Sequence, residues 1–158
     1  MAWDQKNSYG ILAAWYPGQQ GGNDVANVLF GYYNPAGRLP LTLYASVGDL
    51  PDFEDYDMTK GRTYRYFKGK PGYPFGYGLS YTTFKYGKAS VQPNKDGGAT
   101  LTIPVKNMGD RGGDEVVQVY ICNEKDKHGP IKSLRGFKRV YLNPNEEQLI
   151  TIQLPESA

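Results

Sequence analysis

The sequence has very few of the residues on which thiol and imidazole chemistry depends. Of its 158 residues, one is a cysteine, Cys122, and one is a histidine, His128. A single cysteine excludes an internal disulfide and a cysteine metal cluster, and the apolar run around it predicts a small buried side chain. His128 falls in the polar stretch 123–129, which predicts a surface loop rather than a Ser-His-Asp triad. We expect no metal and no cofactor.

Long apolar runs and a strong charge of one sign are also missing. No run approaches the roughly 20 apolar residues of a membrane-spanning helix, and no basic stretch followed by an apolar one indicates a signal peptide. Eighteen basic and sixteen acidic side chains are interspersed and give a net charge of +2. We therefore expect neither a membrane nor nucleic acid as a partner.

Aromatic and backbone-bending residues are abundant, and they concentrate in residues 73–84. Aromatic residues make up 14% of the chain, and fourteen of them are tyrosines. Proline fixes φ, whereas glycine permits positive φ and close backbone approach. Because composition changes on either side, we predict a rigid, ring-filled connector between two units. Its key residues are Tyr73, Pro74, Phe75, Gly76, Tyr77 and Gly78.

Upstream of the connector, the pattern predicts one α/β step. Residues 11–16 form an apolar run typical of a buried strand in a parallel sheet. Asn23 is expected to cap a helix over residues 24–30, and Gly31 to end that helix in the left-handed conformation. One such step cannot form a sheet by itself.

Residues 34–72 predict a turn, an edge strand and a long loop. Residues 34–37 have a type I turn signature. Residues 38–45 are a candidate strand, in which Pro40 is compatible with an edge strand or with the start of a strand. Residues 46–72 hold an acidic patch and then a basic-aromatic segment without sustained periodicity. A loop this long is usually functional or docked on another surface. The acidic residues are Asp49, Asp52, Glu54, Asp55 and Asp57.

Downstream of the connector, apolar and polar residues alternate, which predicts β-strands. The candidate strands are residues 83–92, 99–106, 115–123, 133–142 and 148–154. Short strands at this spacing suggest an immunoglobulin-like sandwich, which needs about seven strands. The predicted fold is therefore mainly β, an incomplete sandwich preceded by a short α/β remnant and a long aromatic-rich loop. Strand 115–123 would then be an exposed apolar edge, open to pairing with another copy.

Several segments, in order, resemble glycoside hydrolase family 3, the β-glucosidase and β-xylosidase family. The matching segments are residues 14–22, 34–40, 61–67 and 73–84, and residues 134–140 resemble the family's fibronectin type III-like domain. The resemblance implies the C-terminal portion of such an enzyme. Residues 1–72 would be the end of its α/β sandwich domain with a docking loop, residues 73–84 the connector, and residues 85–158 a truncated fibronectin type III-like domain.

The resemblance also implies that this chain holds no catalytic residue. Family members carry the nucleophilic Asp on a preceding barrel domain and the acid/base Glu earlier in the α/β sandwich domain, and neither motif occurs here. The implied partners are those missing domains, and an oligosaccharide is reached only through them. The chain would brace those catalytic domains. In the family, a further pair of strands normally follows the last strand predicted here. Localisation stays unknown, although the family is often secreted or periplasmic.

The candidate site residues are Asp52, Asp55, Arg62, Tyr64 and Tyr66, at a substrate rim or in an interdomain clamp. If their segment is extended, Arg62, Tyr64 and Tyr66 share a face that could hold a sugar or fill a groove. Nothing in the spacing of residues 52–57 sets two carboxyl groups about 5 Å apart, as a retaining glycosidase requires. Two alternatives stay open: a free-standing carbohydrate-binding module, and an autonomous hydrolase that uses the 52–57 carboxylates.

Overall fold

The computed structural model describes residues 2–156, and the chain divides into two units. The division falls between Tyr77 and Gly78, inside the connector, while the boundaries placed at residues 72 and 85 stay a prediction. Two short segments cross over, since residues 34–37 belong to the second unit and residues 123–131 to the first. Unit 1 comprises Met1–Tyr33, Arg38–Tyr77 and Asn123–Ile131, and unit 2 comprises Asn34–Gly37, Gly78–Cys122 and Lys132–Ala158.

Unit 1 consists of short helices joined by long irregular segments. Its described helices are α1 (Ala2–Asn7), α2 (Gly21–Leu29) and α3 (Thr63–Tyr66), with a 3-10 turn at Val47–Asp49. The helix predicted near residues 24–30 exists, and Gly31 follows it at φ 75°, as expected. Asn23 does not cap this helix. It lies inside α2, and its Nδ2 donates to Gln20 Oε1 at 2.6 Å.

Three local predictions, for residues 11–16, 34–37 and 38–45, are wrong. Residues 11–16 are irregular and exposed, and Trp15, at φ 52°, lies outside the β region of backbone conformation. Residues 34–37 lie in irregular backbone rather than in a turn. Residues 38–45 form an isolated bridge at Leu43, opposite Tyr73, instead of a strand. Within residues 2–156, neither residues 11–16 nor residues 38–45 belong to a sheet.

Unit 2 is built from antiparallel strands, which confirms the mainly β fold. The strands described within residues 2–156 are β1 (Phe84–Tyr86), β2 (Ser90–Pro93), β3 (Ala99–Asn107), β4 (Gly113–Ile121), β5 (Ser133–Leu142) and β6 (Glu147–Leu154). In one sheet β3 lies centrally, with β1 and β2 along one edge and β6 along the other, and Ile103 faces Ile150. The second sheet pairs β4 with β5.

The strand predicted over residues 83–92 is two strands separated by a bulge. Phe84 pairs with Asn107, whereas Ser90 pairs with Thr102, so one extra residue lies between the two ladders. The break lies opposite Pro104, which has no N–H to donate to a ladder. Gly87 N nevertheless donates to Pro104 O at 2.8 Å, which keeps the two segments on one edge.

The hydrophobic core of unit 2 lies between its two sheets. Val105 and Leu142 are fully buried, with 0% exposure. A second bulge places Arg135 outside the ladder, and a Cβ on neighbouring Gly136 would lie 2.9 Å from Ile152. Glycine at this position therefore permits the sheets to approach closely. The core residues are Val105, Val117, Val119, Val140, Leu142, Ile150, Ile152 and Leu154.

Candidate functional site

The carboxylates of the acidic loop are used to shape the loop itself. Asp52 Oδ1 accepts from Glu54 N at 2.9 Å, Asp55 Oδ1 from Asp57 N at 3.0 Å, and Asp57 Oδ1 from Thr59 N at 2.9 Å. Each is an Asx turn, in which an Asp side chain imitates a backbone turn two residues along. These three carboxylates therefore stabilise the backbone conformation of a surface loop.

Two of these carboxyls have depressed pKa values. Lys60 Nζ donates to Asp55 Oδ2 at 2.6 Å, and this bond, reinforced by the bond from Asp57 N, lowers the pKa of Asp55. The hydroxyl and N–H of Thr59 lower the pKa of Asp57 in the same way. A general acid of a glycosidase needs a raised pKa. Both shifts therefore have the wrong direction for acid catalysis.

Arg62 organises the acidic loop through backbone carbonyls rather than through carboxylates. Its Nη2 donates to Asp52 O at 2.6 Å and also to Asp55 O. The planar guanidinium suits such a paired role because its donors point in fixed directions. Its Nε is buried and has no hydrogen-bond partner among the described residues. Arg62, Asp52 and Asp55 thus come together in the structure.

The candidate tyrosines occupy a helical turn, so strand-like alternation does not apply to them. Thr63 opens α3 at φ 57°, an unusual conformation for a β-branched residue. Tyr64 stacks on Phe75, with ring centroids 4.1 Å apart and planes at 18°. Tyr66 lies beneath the guanidinium of Arg65, at 5.9 Å from its ring centroid. The shared face predicted for Arg62, Tyr64 and Tyr66 is therefore absent from the described segment.

The first half of the connector is anchored to residues 39–43. Tyr73 and Leu43 exchange two backbone hydrogen bonds, of 2.9 and 3.1 Å. Gly76 N donates to Leu39 O at 2.8 Å, and Leu39 N donates to Tyr77 O at the same distance. Gly76 has φ 79°, which explains the need for glycine at that position. Tyr73 and Tyr77 contact each other at 5.4 Å.

A cavity of about 290 Å³ lies in unit 1 between this anchored segment and α3. Tyr64 and Phe75 contribute to its wall. Both residues stand out in the sequence, but the cavity does not, because the segments that form it are up to 35 residues apart in the chain. The other lining residues are Pro40, Leu41, Thr42, Tyr44, Met58, Thr63 and Arg65.

Unit 2 contains a buried polar network that the sequence patterns did not predict. Asn34 Oδ1 accepts from Ser80 Oγ at 2.9 Å and from Tyr81 N at 2.8 Å. Nearby, Asn107 is fully buried, and its Oδ1 accepts from Thr82 Oγ1 at 2.6 Å. Asn34 lies in the segment 34–37 for which the sequence predicts a turn, and this turn signature hid its role in the network. The signal that could have identified Asn34 is its place in a segment that resembles the family.

The single histidine and the single cysteine of the sequence are both exposed. His128 is exposed in its loop, as predicted, whereas Cys122 is exposed rather than buried, because it follows the end of β4. No cluster of three or more His, Cys, Asp or Glu within residues 2–156 is placed to hold a metal ion. In the same part of the chain, no helix has the length and apolarity needed to cross a membrane.

Comparison with known protein families gives matches in both parts of the chain. Residues 1–81 match the glycosyl hydrolase family 3 C-terminal domain, and residues 115–158 match the fibronectin type III-like domain. A xylan 1,4-β-xylosidase of Xylanibacter ruminicola is 50% identical over 149 residues, which span 94% of this chain and 17% of that protein. A periplasmic β-glucosidase of Salmonella typhimurium is 38% identical over 160 residues, 91% of this chain and 21% of that protein.

Solved structures give the same result. The structure of β-glucosidase 3B from Thermotoga neapolitana in complex with glucose has a TM-score of 0.81 and 36% identity, and the match covers 89% of this chain and 22% of that one. The chain therefore spans about a fifth of the length of the relatives it matches. It belongs to glycosyl hydrolase family 3, and it matches the family's C-terminal domain and a fibronectin type III-like domain over the residues given above.

Proposed function

We propose that this chain is the non-catalytic C-terminal portion of a β-glycosidase and braces the catalytic domains of that enzyme. The intact enzyme would hydrolyse β-glucosides or β-xylosides with retention of configuration. The observation that carries the proposal is the unburied apolar surface of unit 1. Its large side chains stay exposed although they are hydrophobic, among them Trp15 (56%), Phe30 (78%) and Phe53 (86%).

Such a surface is what a docked segment presents when its partner is absent. Soluble proteins rarely leave large contiguous apolar patches uncovered, and such patches usually mark interaction sites. The relatives extend far beyond the part this chain matches, since it spans 17–22% of their length. The remainder of such an enzyme could cover this surface.

The acidic loop supports a role without catalysis. A retaining glycosidase needs one carboxyl group with a raised pKa and another as nucleophile. Asp55 and Asp57 instead have lowered pKa values and are engaged in turns. We propose that Asp52, Asp55, Arg62, Tyr64 and Tyr66 belong to an interdomain clamp rather than to a substrate rim, with residues 1–72, 73–84 and 85–158 as the divisions of the chain.

A chimera tests the bracing role directly. The C-terminal segment of the Xylanibacter ruminicola β-xylosidase that aligns with this chain is replaced by the chain itself, since the two are 50% identical. We expect the chimera to hydrolyse 4-nitrophenyl β-D-xyloside, and the same enzyme truncated before the segment to be inactive. A truncated enzyme as active as the chimera would refute the bracing role.

The isolated chain separates the two alternative functions from this one. We expect no turnover of 4-nitrophenyl β-D-xyloside or β-D-glucoside, and no saturable binding of xylo- or cello-oligosaccharides. Turnover that disappears on Asp55→Asn or Glu54→Gln would identify an autonomous hydrolase. Saturable oligosaccharide binding without turnover would identify a carbohydrate-binding module.

We further propose that the isolated chain associates with a second copy through β4. Within residues 2–156, β4 has β5 as its sole neighbouring strand. Open strand edges readily pair with another chain, and Ile121 at the end of β4 is 41% exposed. Size-exclusion chromatography should show a concentration-dependent dimer that Val116→Lys weakens. A compact monomer at every concentration would contradict this association.

A further inference from the structure

We propose that the connection between β4 and β5, residues 123–131, is a strap that positions the two tyrosines of the proposed clamp, Tyr64 and Tyr66. The strap lies inside the stretch 115–158 that matches the fibronectin type III-like domain, yet it belongs to unit 1, together with α3. This inference deepens the proposed function and rests on it, because the strap fixes the shape of the interdomain clamp. It gives the connection a role beyond joining two strands.

The helical turn α3 needs support from outside its own four residues. The first turn of a helix is costly to form, and here it is closed by the bond from Phe67 N to Thr63 O at 2.9 Å. Thr63 has φ 57°, which adds backbone strain. The hydroxyl of Tyr44 accepts from Thr63 N, and Phe75 stacks on the ring of Tyr64. These two contacts act on Thr63 and Tyr64, so they hold the first half of α3.

The strap supplies a hydrogen bond to the second half of α3. Carbonyl groups in the last turn of a helix have no partner within that helix. Arg65 O accepts from Ile131 N at 2.6 Å, so its donor comes from a distant part of the chain. Because Arg65 lies between Tyr64 and Tyr66, this bond fixes the backbone from which both rings project.

The strap is shaped for this contact by its own residues. Asp126 Oδ1 accepts from His128 N at 3.1 Å and from Gly129 N at 2.9 Å, which folds the chain tightly. Pro130 then restricts φ immediately before the donor, Ile131. Side chains are exposed up to His128, whereas Gly129 and Pro130 are half-buried. The strap is therefore most ordered and least exposed where it approaches its bond to α3.

The ends of the strap are held together by the sheet that it connects. Ile121, at the end of β4, pairs with Ser133, at the start of β5. A loop whose ends are already joined loses less conformational entropy when it docks than a free segment of the same length. One hydrogen bond is therefore enough to hold the strap on α3.

A matched pair of proline variants tests the strap on the full 158-residue chain. Ile131→Pro removes the N–H that bonds Arg65 O, whereas Lys127→Pro places proline at the second position of the turn 126–129, where proline fits. Amide hydrogen exchange at Phe67 should become roughly five-fold faster in Ile131→Pro, which corresponds to the loss of one net hydrogen bond. It should not change in Lys127→Pro, nor in Ile131→Ala, which keeps the N–H. Equal exchange in the two proline variants would overturn the strap.

A second variant decides the question if Ile131→Pro disrupts β5. Replacing residues 123–131 by Asn-Gly joins β4 to β5 with a preferred two-residue hairpin turn and leaves no donor for Arg65 O. Exchange at Phe67 should accelerate at least as much as in Ile131→Pro, while the amides of β3 and β6 keep their rates. Unchanged exchange at Phe67 in this variant, or equal acceleration in β3 and β6, would overturn the proposal.

The chimera separates failure of the strap from failure of the bracing role. In the chimera, Ile131→Pro should shorten the half-life of xyloside hydrolysis at elevated temperature, whereas Ile131→Ala and Lys127→Pro should not. An active chimera in which the two proline variants lose activity equally fast would overturn the positioning role. An inactive chimera would remove the bracing role, while exchange at Phe67 in the isolated chain would still decide whether the strap supports α3.

Discussion

The two units of this chain are similar in length but are stabilised in different ways. Within residues 2–156, every buried hydrophobic side chain belongs to unit 2, where two sheets enclose a common core. Unit 1 depends on ring contacts, Asx turns and the Arg62 bonds, and it leaves most of its aromatic side chains exposed. An alternating strand pattern thus supplies its own core, whereas the aromatic-rich segment depends on a surface that it does not contain.

The largest expected effect comes from removing a core side chain of unit 2. Leu142→Ala should lower the free energy of unfolding by about 2–5 kcal/mol, because it leaves a cavity in the packed interior. The control Leu50→Ala in unit 1, where the side chain is 49% exposed, should change it by less than about 0.5 kcal/mol. Urea denaturation followed by far-UV circular dichroism measures both. If Leu142→Ala and Leu50→Ala lowered the free energy of unfolding equally, the proposed difference between the two units would be wrong.

The next effect concerns the buried amide of Asn107. Its Nδ2 donates to Arg111 O at 2.7 Å and to Leu142 O at 3.1 Å, and its Oδ1 also accepts from Gly109 N. Asn107→Ala should lower the free energy of unfolding by about 1–3 kcal/mol, because these partners lose their bonds in a buried setting.

The control for Asn107 is Asn123→Ala, which removes an exposed amide that accepts from Lys125 N. We expect a change of less than about 0.5 kcal/mol in the same urea experiment. If the two alanine variants were equally stable, the polar network would contribute nothing to unit 2.

The contrast between the units also explains which predictions from sequence succeeded. The strands near residues 99–106, 133–142 and 148–154 were predicted closely, because a half-buried sheet imposes period-two alternation on its own sequence. The bulge opposite Pro104 was missed because it depends on register with another strand. Local sequence therefore predicts that a strand is present more reliably than it predicts where a bulge interrupts that strand.

The candidate site was less predictable because its geometry depends on distant residues. Asp52, Asp55 and Arg62 were singled out, but Arg62 contacts backbone carbonyls, which carry no side-chain signal in the sequence. The run at residues 11–16 has a strand-like composition, yet strands of a parallel sheet need neighbours, and none pairs with it among residues 2–156. The strand predicted over residues 11–16 is therefore wrong, because an apolar run does not supply the neighbouring strands that a parallel sheet requires.

A smaller effect should follow from changing Arg62, whose guanidinium bonds two carbonyls of the acidic loop. Arg62→Lys keeps the charge but replaces the planar donor fork with a single ammonium group. Amide hydrogen exchange over residues 52–60 should become about five-fold faster, which corresponds to the loss of one net hydrogen bond. Arg38→Lys, outside this loop, is the control. Unchanged exchange in Arg62→Lys would show that the Asx turns alone hold the loop.

The smallest effect is electrostatic, and it concerns the pH range over which Asp55 and Lys60 hold together. The bond to Lys60 lowers the pKa of Asp55, so its contribution to loop order is present above the ordinary Asp pKa and is lost as pH falls through the lowered value. Asp55 raises the pKa of Lys60, whose contribution is present below the ordinary Lys pKa and is lost as pH rises through the raised value.

Carboxyl-carbon NMR of Lys60→Met should show a higher pKa for Asp55. Asp57 should move less, because Thr59 is the main cause of its lowered pKa. An Asp55 pKa that does not respond to Lys60→Met would mean that the backbone bond from Asp57 alone holds this carboxylate.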